Sequence, residues 1–408
     1  MNKLNFKREF KDWMMGLQFL LCALGAVVLV PLLTGLNPSS AILSAGLATL
    51  VFHLCTKKQV PIFLGSSFAF ISPIVSVMAS HGYAYVQGSV IVVGIVYMLI
   101  SLLVYKVGID KILKFIPNHI SGVMIVLIGL ILMPSAITNI QTNLAIATLT
   151  LLVIILTNIF TKGIIKQFSV LIGLIFGYLL SLWLGVVDLN IITSFDAVVL
   201  PQLSVPKFAL DALLVIVPVS IATLTEHLAD MSVCGTIVDK DFRREPGLHK
   251  TILGDGLGTV IGGLVSGVPN TSYSECTSLL EITKIRNPRI LRIAGVLAII
   301  LSFVGVFTGL LQSIPSSVIG AMSLYLYAMI SWVGVKNIKK EKDSKGKLTL
   351  SNIFVMIIMF IVGLSDVIGL NIVLQIGGIT LSGLSLAILV GIVLNAIITS
   401  IEKRVTSK

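Results

Sequence analysis

Long apolar stretches recur along almost the whole chain, and each is about as long as a membrane is thick. A helix that crosses the hydrocarbon core of a bilayer needs about 20 predominantly apolar residues. We count fourteen windows of that kind in the 408 residues. Only 12% of the residues are charged, against about 25% in soluble domains, which excludes a soluble protein. The sequence predicts an all-α polytopic membrane protein with 14 transmembrane segments.

The positions of the basic residues support this count. If the spans alternate across the membrane from a cytoplasmic N-terminus, cytoplasmic segments hold 28 of the 29 lysines and arginines, and only Lys207 lies outside. Cytoplasmic loops carry such an excess, and a wrong number of spans would scramble it. We therefore interpret the net charge of +11 as a sign of orientation and not of nucleic-acid binding. Both termini are expected in the cytoplasm, and residues 336–347 are expected to form a charged loop.

A polar segment, residues 187–207, divides the chain into two groups of seven spans. An odd number of spans per half requires the second half to run inverted relative to the first, as in many secondary transporters. A short sequence similarity agrees with this: Gly-Leu-Ala-Thr at residues 46–49 in span two and Gly-Leu-Gly-Thr at residues 256–259 in span nine. The sequence predicts two inverted 7-span repeats.

Two spans in corresponding positions contain breaks. Residues 61–73 of span three include two prolines and Gly65, and residues 269–275 of span ten read Pro-Asn-Thr-Ser-Tyr-Ser-Glu. Proline and glycine interrupt helical hydrogen bonding, whereas phenylalanine and isoleucine suit extended backbone. We predict short extended breaks in spans 3 and 10, with the first followed by a half-helix. Matched breaks of this kind point to the binding site of a transporter.

Span eight carries two acidic residues, Glu226 and Asp230, four positions apart on one face of a helix. Two ionised carboxylates at this spacing repel each other, so one is expected to hold a proton or to find a hydrogen-bond donor. Asp230 could instead lie near the cytoplasmic interface, close to Asp239. His227 lies on a different face, where a structural hydrogen bond is the more common role.

The two breaks and the acidic helix could meet near the middle of the membrane. Broken segments expose backbone N–H groups, half-helix N-termini add positive dipole, and carboxylates supply acceptors. This combination suits a small neutral solute with alternating N–H and C=O groups, with Phe68 packing on a flat ring. An anionic substrate is disfavoured because no buried lysine or arginine is expected, although backbone dipoles alone could hold one. Buried carboxyl groups make proton coupling plausible, and sodium coupling stays open.

Nothing in the sequence suggests an enzyme or a cofactor. The four cysteines, Cys22, Cys55, Cys234 and Cys276, have no Cys-x-x-Cys spacing, and the five histidines are scattered. No metal site, disulfide or catalytic arrangement is therefore predicted. A passive channel is the remaining rival, and buried titratable groups beside broken helices favour a transporter over it.

At these residues the chain resembles the nucleobase-ascorbate transporter (nucleobase:cation symporter) family, most closely its bacterial uracil permeases. The resemblance covers nearly the whole chain and is carried by Gly25-Ala26, Val30-Pro31, residues 65–73, Glu226-His227, residues 246–249 and residues 269–275. It implies a core domain that moves against a gate domain. The core domain would comprise residues 1–115 (spans 1–4) and 201–312 (spans 8–11), and the gate domain residues 116–200 (spans 5–7) and 313–408 (spans 12–14).

The resemblance also implies a function and a site. The function is import of a nucleobase, uracil first, by proton symport with alternating access across the cell inner (plasma) membrane. Xanthine or another purine is the alternative substrate, sodium the alternative coupling ion, and a homodimer through the gate domain the implied assembly. The implied substrate-binding residues are Glu226, Glu275, Phe68, Ser274, Ala26 and Tyr273, with the backbone amides acting at Phe68 and Ser274. Proton coupling is assigned to Glu226, Asp230 and Glu275.

The chain departs from those permeases beside the site. Asp230 stands where they have a histidine, and Cys276 follows Glu275 where the family usually has asparagine. These departures leave the proton-coupling partner and the identity of the base open.

Overall fold

The computed structural model describes residues 3–108, 117–201, 203–345, 349–376 and 379–406, and most of them are helical. The helices of the first half are α1 (Lys3–Thr34), α2 (Pro38–Cys55), α3 (Ile71–Ser80), α4 (Tyr83–Val107), α5 (Asn118–Gln141), α6 (Leu144–Phe160) and α7 (Ser169–Trp183). Those of the second half are α8 (Leu210–Ile216), α9 (Ser220–Val238), α10 (Leu248–Leu264), α11 (Ser274–Thr283), α12 (Pro288–Ser302), α13 (Gly305–Gln312), α14 (Ser316–Lys345), α15 (Leu350–Gly363) and α16 (Gly383–Thr406). Short helical turns lie at Phe68–Phe70, Ile164–Gln167, Asn190–Thr193, Val217–Val219 and Arg243–Gly247.

Length and composition identify the helices that can cross a membrane. Within the described ranges, seven helical stretches qualify: Glu9–Thr34, Pro38–Cys55, Tyr83–Val107, His119–Gln141, Leu210–Val238, Ser316–Lys339 and Gly383–Ile401. Four apolar helical stretches are shorter: Phe68–Ser80, Leu144–Phe160, Ser169–Trp183 and Leu350–Gly363. The protein is thus a mainly helical integral membrane protein, as predicted, and half of the fourteen expected spans meet the length criterion unaided.

Both predicted breaks are extended, and they pair with each other. Strand β1 (Leu64–Ser66) lies antiparallel to strand β2 (Asn270–Ser272), with Gly65 opposite Thr271. The ladder continues at both ends, where Ser67 N donates to Pro269 O at 3.0 Å and Tyr273 N donates to Phe63 O at 3.1 Å. α11 begins two residues after β2, and α3 follows β1 after a single helical turn. The prediction of short extended breaks in these two places is confirmed.

The repeated sequence motif has the same role in both halves. Its last residue is Thr49 in α2 and Thr259 in α10. The Thr49 hydroxyl accepts a hydrogen bond from Leu64 N of β1 at 2.9 Å. The Thr259 hydroxyl accepts one from Asn270 N of β2 at 3.3 Å. Each strand is therefore tied by a threonine of the helix that precedes it.

The first residue of the same motif makes a close helix contact in both halves. A Cβ atom on Gly46 would lie 2.6 Å from Gly295 O, where α2 crosses α12. A Cβ atom on Gly256 would lie 2.9 Å from Gly94 O, where α10 crosses α4. Small residues allow membrane helices to approach to backbone contact. The helices around the paired strands are thus packed in two similar sets.

Gly65 faces an aromatic ring that has no room to move. A Cβ atom there would lie 2.5 Å from Cζ of Tyr273, which is 4% exposed and donates its hydroxyl to Ser66 O at 2.8 Å. We expect Gly65→Ala to destabilise the protein by about 1–3 kcal/mol, the usual cost of overpacking. Thermal unfolding of purified protein in detergent measures it. Gly25→Ala is the control, because its new Cβ would lie 3.5 Å from the nearest atom; equal melting temperatures for the two variants would contradict the prediction.

The structure corrects one expectation and adds one element. The prediction of a charged loop at residues 336–347 is wrong for residues 336–345, because α14 continues to Lys345; residues 346 and 347 lie outside the described residues. Lysine and glutamate are good helix formers, and charge alone does not end a helix. A β-hairpin between α15 and α16 was not predicted. It pairs β3 (Leu374–Ile376) with β4 (Ile379–Leu381), and strands of three residues are too short to show an alternating pattern.

Candidate substrate-binding site

A cavity of about 550 Å³ lies where the paired strands and the helices that follow them meet α9. One wall is polar and consists of Ser66, Phe68, Glu226, Asp230, Thr271, Ser272, Tyr273, Ser274, Glu275, Thr277, Ser278 and Glu281. The other wall is mostly apolar and comes from α5 and α14, through Ile125, Ile128, Leu326, Met329, Ile330 and Val333. Lys166 and Lys336 also line it. The cavity thus has its acidic and hydroxyl groups on one wall, opposite a wall that is mostly apolar.

Two carboxylates on the polar wall are open to the cavity. Glu226 lies in α9, Glu275 is the second residue of α11, and both are partly exposed. Within the described part of the chain, no side chain donates a hydrogen bond to either of them. Both groups are therefore available as acceptors for a ligand N–H.

Two backbone donors lie on the same wall. Phe68 and Ser274 are the first residues of the helical segments that follow β1 and β2. The first N–H groups of a helix have no partner within it, and the helix dipole is positive at that end. Because the strands are paired, these two N-terminal ends are held on one scaffold. The arrangement can bind C=O groups beside the two carboxylates.

Of the remaining two predicted binding residues, one lines the cavity and the other does not. Tyr273 lines the cavity, but its hydroxyl is engaged with Ser66 O and its ring packs on Gly65. Ala26 is buried in α1, at 5% exposure, and lies outside the cavity lining. Tyr273 thus contributes to the shape of the wall, and Ala26 lies behind it.

Asp230 lies in the cavity wall. It is buried at 6% exposure, one helical turn after Glu226. Its Oδ2 accepts a hydrogen bond from Ser272 Oγ at 2.9 Å, and its Oδ1 accepts one from Ser274 Oγ at 2.8 Å. The carboxylate thus joins α9 to both β2 and α11. Sequence reasoning missed Ser272 as its partner, although this serine belongs to the polar run that drew attention.

His227 makes its hydrogen bonds with α10. Its Nδ1 lies 2.7 Å from Asp255 Oδ2, and its Nε2 lies 2.9 Å from Thr251 Oγ1. The histidine and aspartate side chains are 2% and 4% exposed. The expected structural role of His227 agrees with this geometry. Sequence reasoning missed Asp255, whose signal was an acidic residue inside an apolar window.

A family model and several relatives match this chain. The permease family model Xan_ur_permease matches residues 10–372. The chain belongs to this permease family. The permease is 36% identical over 406 residues to the probable uracil permease of Haemophilus influenzae, a match that covers 97% of this chain and 96% of the relative. It is 33% identical over 394 residues to the uracil permease of Escherichia coli K12, covering 94% and 90%. The predicted family is confirmed, and its members are transporters and not enzymes.

Solved structures resemble the permease in fold. The transmembrane domain of the cyanobacterium bicarbonate transporter BicA has a TM-score of 0.62 at 15% identity, covering 84% of this chain and 97% of that one. The murine Slc26a9 anion transporter in the inward-facing state has a TM-score of 0.70 at 12% identity, covering 96% and 68%. At these identities the likeness concerns the fold alone.

Proposed function

We propose that this permease imports a nucleobase, uracil first, across the plasma membrane by proton symport with alternating access. The observation that carries the proposal is the cavity in which the open carboxylates of Glu226 and Glu275 stand beside two helix N-termini. The uracil permeases among its relatives support the choice of base.

The cavity has the groups that a pyrimidine base requires. Uracil carries two N–H and two C=O groups around one flat ring. In the proposed pose the N–H groups donate to Glu226 and Glu275, and the C=O groups accept from the backbone amides of Phe68 and Ser274. The Phe68 side chain lines the cavity and packs on the ring face. The base is neutral, so the pose needs no lysine or arginine to balance a charge on it.

The same carboxyl groups are the proposed proton carriers. Glu226, Asp230 and Glu275 all line one cavity. Three ionised carboxylates in a site with limited water repel one another, and a proton taken up by one of them removes part of that repulsion. Proton uptake would then accompany the base through the transport cycle, in the manner of the acidic relays of other transporters.

The proposed topology has fourteen spans in two inverted seven-span repeats, with both termini in the cytoplasm. The paired breaks, their threonine ties and the matching glycine crossings support the repeat. In this topology Lys166 and Lys336 are cytoplasmic, so the cavity that they line opens to the cell interior.

The proposed moving parts are a core domain and a gate domain. The core domain comprises residues 1–115 and 201–312, and the gate domain residues 116–200 and 313–408. The polar wall then belongs to the core domain, whereas the mostly apolar wall from α5 and α14 belongs to the gate domain. A core domain that carries the base can move along an apolar wall without breaking hydrogen bonds to it. A homodimer through the gate domain is the proposed assembly.

Uptake by proteoliposomes tests substrate and coupling together. With sodium-free buffer on both sides, we expect radiolabelled uracil to accumulate when the outside is made acidic, and accumulation to stop when a protonophore collapses the gradient. Excess unlabelled uracil should compete more strongly than excess xanthine. Protein-free liposomes are the control. A strict sodium requirement would refute proton coupling, and stronger competition by xanthine would move the proposal to a purine substrate.

A further inference from the structure

Asp230 differs from the other two cavity carboxylates in being fully engaged. Each of its oxygens accepts a hydrogen bond from a serine, Ser272 on one side and Ser274 on the other. Glu226 and Glu275 receive no such bond from side chains in the described part of the chain. Two donors held on different elements fix the orientation of the Asp230 carboxylate, because rotation about its last bond would break both contacts.

The hydrogen bonds that Ser274 already makes determine which donor and acceptor groups it has left for a ligand in the cavity. A serine hydroxyl has one proton and two lone pairs. The proton goes to Asp230 Oδ1 at 2.8 Å, so the oxygen has only acceptor capacity left. Ser274 is exposed and lines the cavity. As the first residue of α11, it also has a backbone N–H without a partner inside the helix. One residue thus presents a donor and an acceptor side by side.

We propose that Asp230 sets the Ser274 hydroxyl as an acceptor, so that Ser274 recognises a C=O group and the adjacent ring N–H of the substrate together. The C=O group accepts from Ser274 N, and the neighbouring N–H, which faces Glu275 in the proposed pose, is shared between Glu275 and Ser274 Oγ as a three-centre hydrogen bond. This inference rests on the proposed function and refines it. Ser274 Oγ is a specificity-determining contact, and Asp230 is a positioning residue.

The proposal defines the class of ligand. It favours rings in which a carbonyl is bonded to a protonated nitrogen, and both N–H groups of uracil have such a carbonyl neighbour. A ring that turns an unprotonated nitrogen towards Ser274 places two acceptors against each other, which costs affinity because neither lone pair has a donor. Selection therefore depends on the hydroxyl proton and not only on cavity shape.

Equilibrium binding of radiolabelled uracil to the purified full-length protein in detergent tests this. We expect Ser274→Ala to weaken binding about 3- to 10-fold, the range for one lost neutral hydrogen bond. Asp230→Asn should weaken binding to a similar extent, because its amide can donate to Ser274 and turn the hydroxyl proton towards the cavity. The double variant should bind no more weakly than the worse single variant, since both changes remove one contact.

Two further variants separate recognition from support of the fold. Ser272→Ala removes the other hydroxyl that donates to Asp230. It should lower the affinity for uracil less than Ser274→Ala does. Ser278→Ala, one turn further along the cavity wall, is the matched control, and its effect should multiply with that of Asp230→Asn. Three results would each overturn the proposal. One is wild-type affinity in Ser274→Ala, and another is an affinity loss in the Asp230→Asn/Ser274→Ala double variant equal to the product of the two single losses. The third is an equal loss from Ser272→Ala and Ser274→Ala. A wild-type protein that does not bind uracil contradicts the proposed substrate instead, and the same series is then measured with whichever base it binds.

Discussion

Glu226→Gln is expected to abolish uracil uptake at unchanged membrane abundance. Glutamine has nearly the same size, but it replaces the negative charge that receives a substrate N–H and cannot carry a proton. A hydrogen bond to a charged group contributes about 1.5–3 kcal/mol, which corresponds to an affinity loss of roughly 10- to 150-fold. Loss of a proton carrier adds to this, so uptake driven by a pH gradient should fall to background. Glu275→Gln should have the same effect for the same reasons.

The measurement is initial uptake of radiolabelled uracil by cells, normalised to the amount of each variant in the membrane. Glu281→Gln is the control, because Glu281 lines the same cavity but is about 1.7 turns further along α11 than Glu275. Its uptake should stay close to that of the wild type. Near-normal uptake by both Glu226→Gln and Glu275→Gln would contradict the site assignment.

Asp255→Leu is expected to destabilise the permease by about 3–5 kcal/mol, the cost of removing one partner from a buried pair. The substitution leaves His227 Nδ1 without its acceptor at a position where the histidine side chain is 2% exposed. The pair also joins α9 to α10, the helices that carry Glu226 and the Thr259 tie to β2. We therefore expect the melting temperature and uracil binding to fall together.

An exposed acidic residue provides the comparison for this variant. Asp241 lies 3.6 Å from Arg244 Nε, in a pair whose side chains are 55% and 91% exposed. Exposed pairs contribute about 0–1 kcal/mol, so Asp241→Asn should melt close to the wild type. The prediction concerning Asp255 fails if the two variants melt at similar temperatures. The melting temperatures of the two variants are compared in the same detergent, without added nucleobase.

The sequence was most informative where several residues in one stretch conflicted with their apolar surroundings. Prolines, glycine and polar side chains inside membrane-length windows predicted both breaks, since hydrocarbon offers no partners for the backbone groups that a broken helix releases. Glu226 and Glu275 were found for the same reason, as acidic residues in apolar segments. The structure places both on the cavity wall with Phe68 and Ser274.

The sequence suggested that the two breaks and the acidic helix meet, but it did not give the individual contacts between them. Nothing in the sequence indicates that β1 pairs with β2, that Ser272 bonds to Asp230, or that His227 meets Asp255, because each contact depends on how helices pack. The end of α14 was predicted wrongly because charge was taken as a sign of a loop. Short strands such as β3 and β4 contain too few residues for a periodic pattern.

The pairing of β1 with β2 has a consequence for how the substrate is held during the proposed transport. Both amide donors of the proposed site follow directly from one two-stranded sheet, which is held together by main-chain hydrogen bonds and has Gly65 opposite Thr271 at its centre. A displacement of one half-helix N-terminus would move the other with it, so in the proposed transport movement the two amide donors are expected to keep their spacing. Side chains around the two strands can be substituted without changing these main-chain hydrogen bonds. A permease built in this way can therefore change its substrate in evolution while keeping the same two backbone donors.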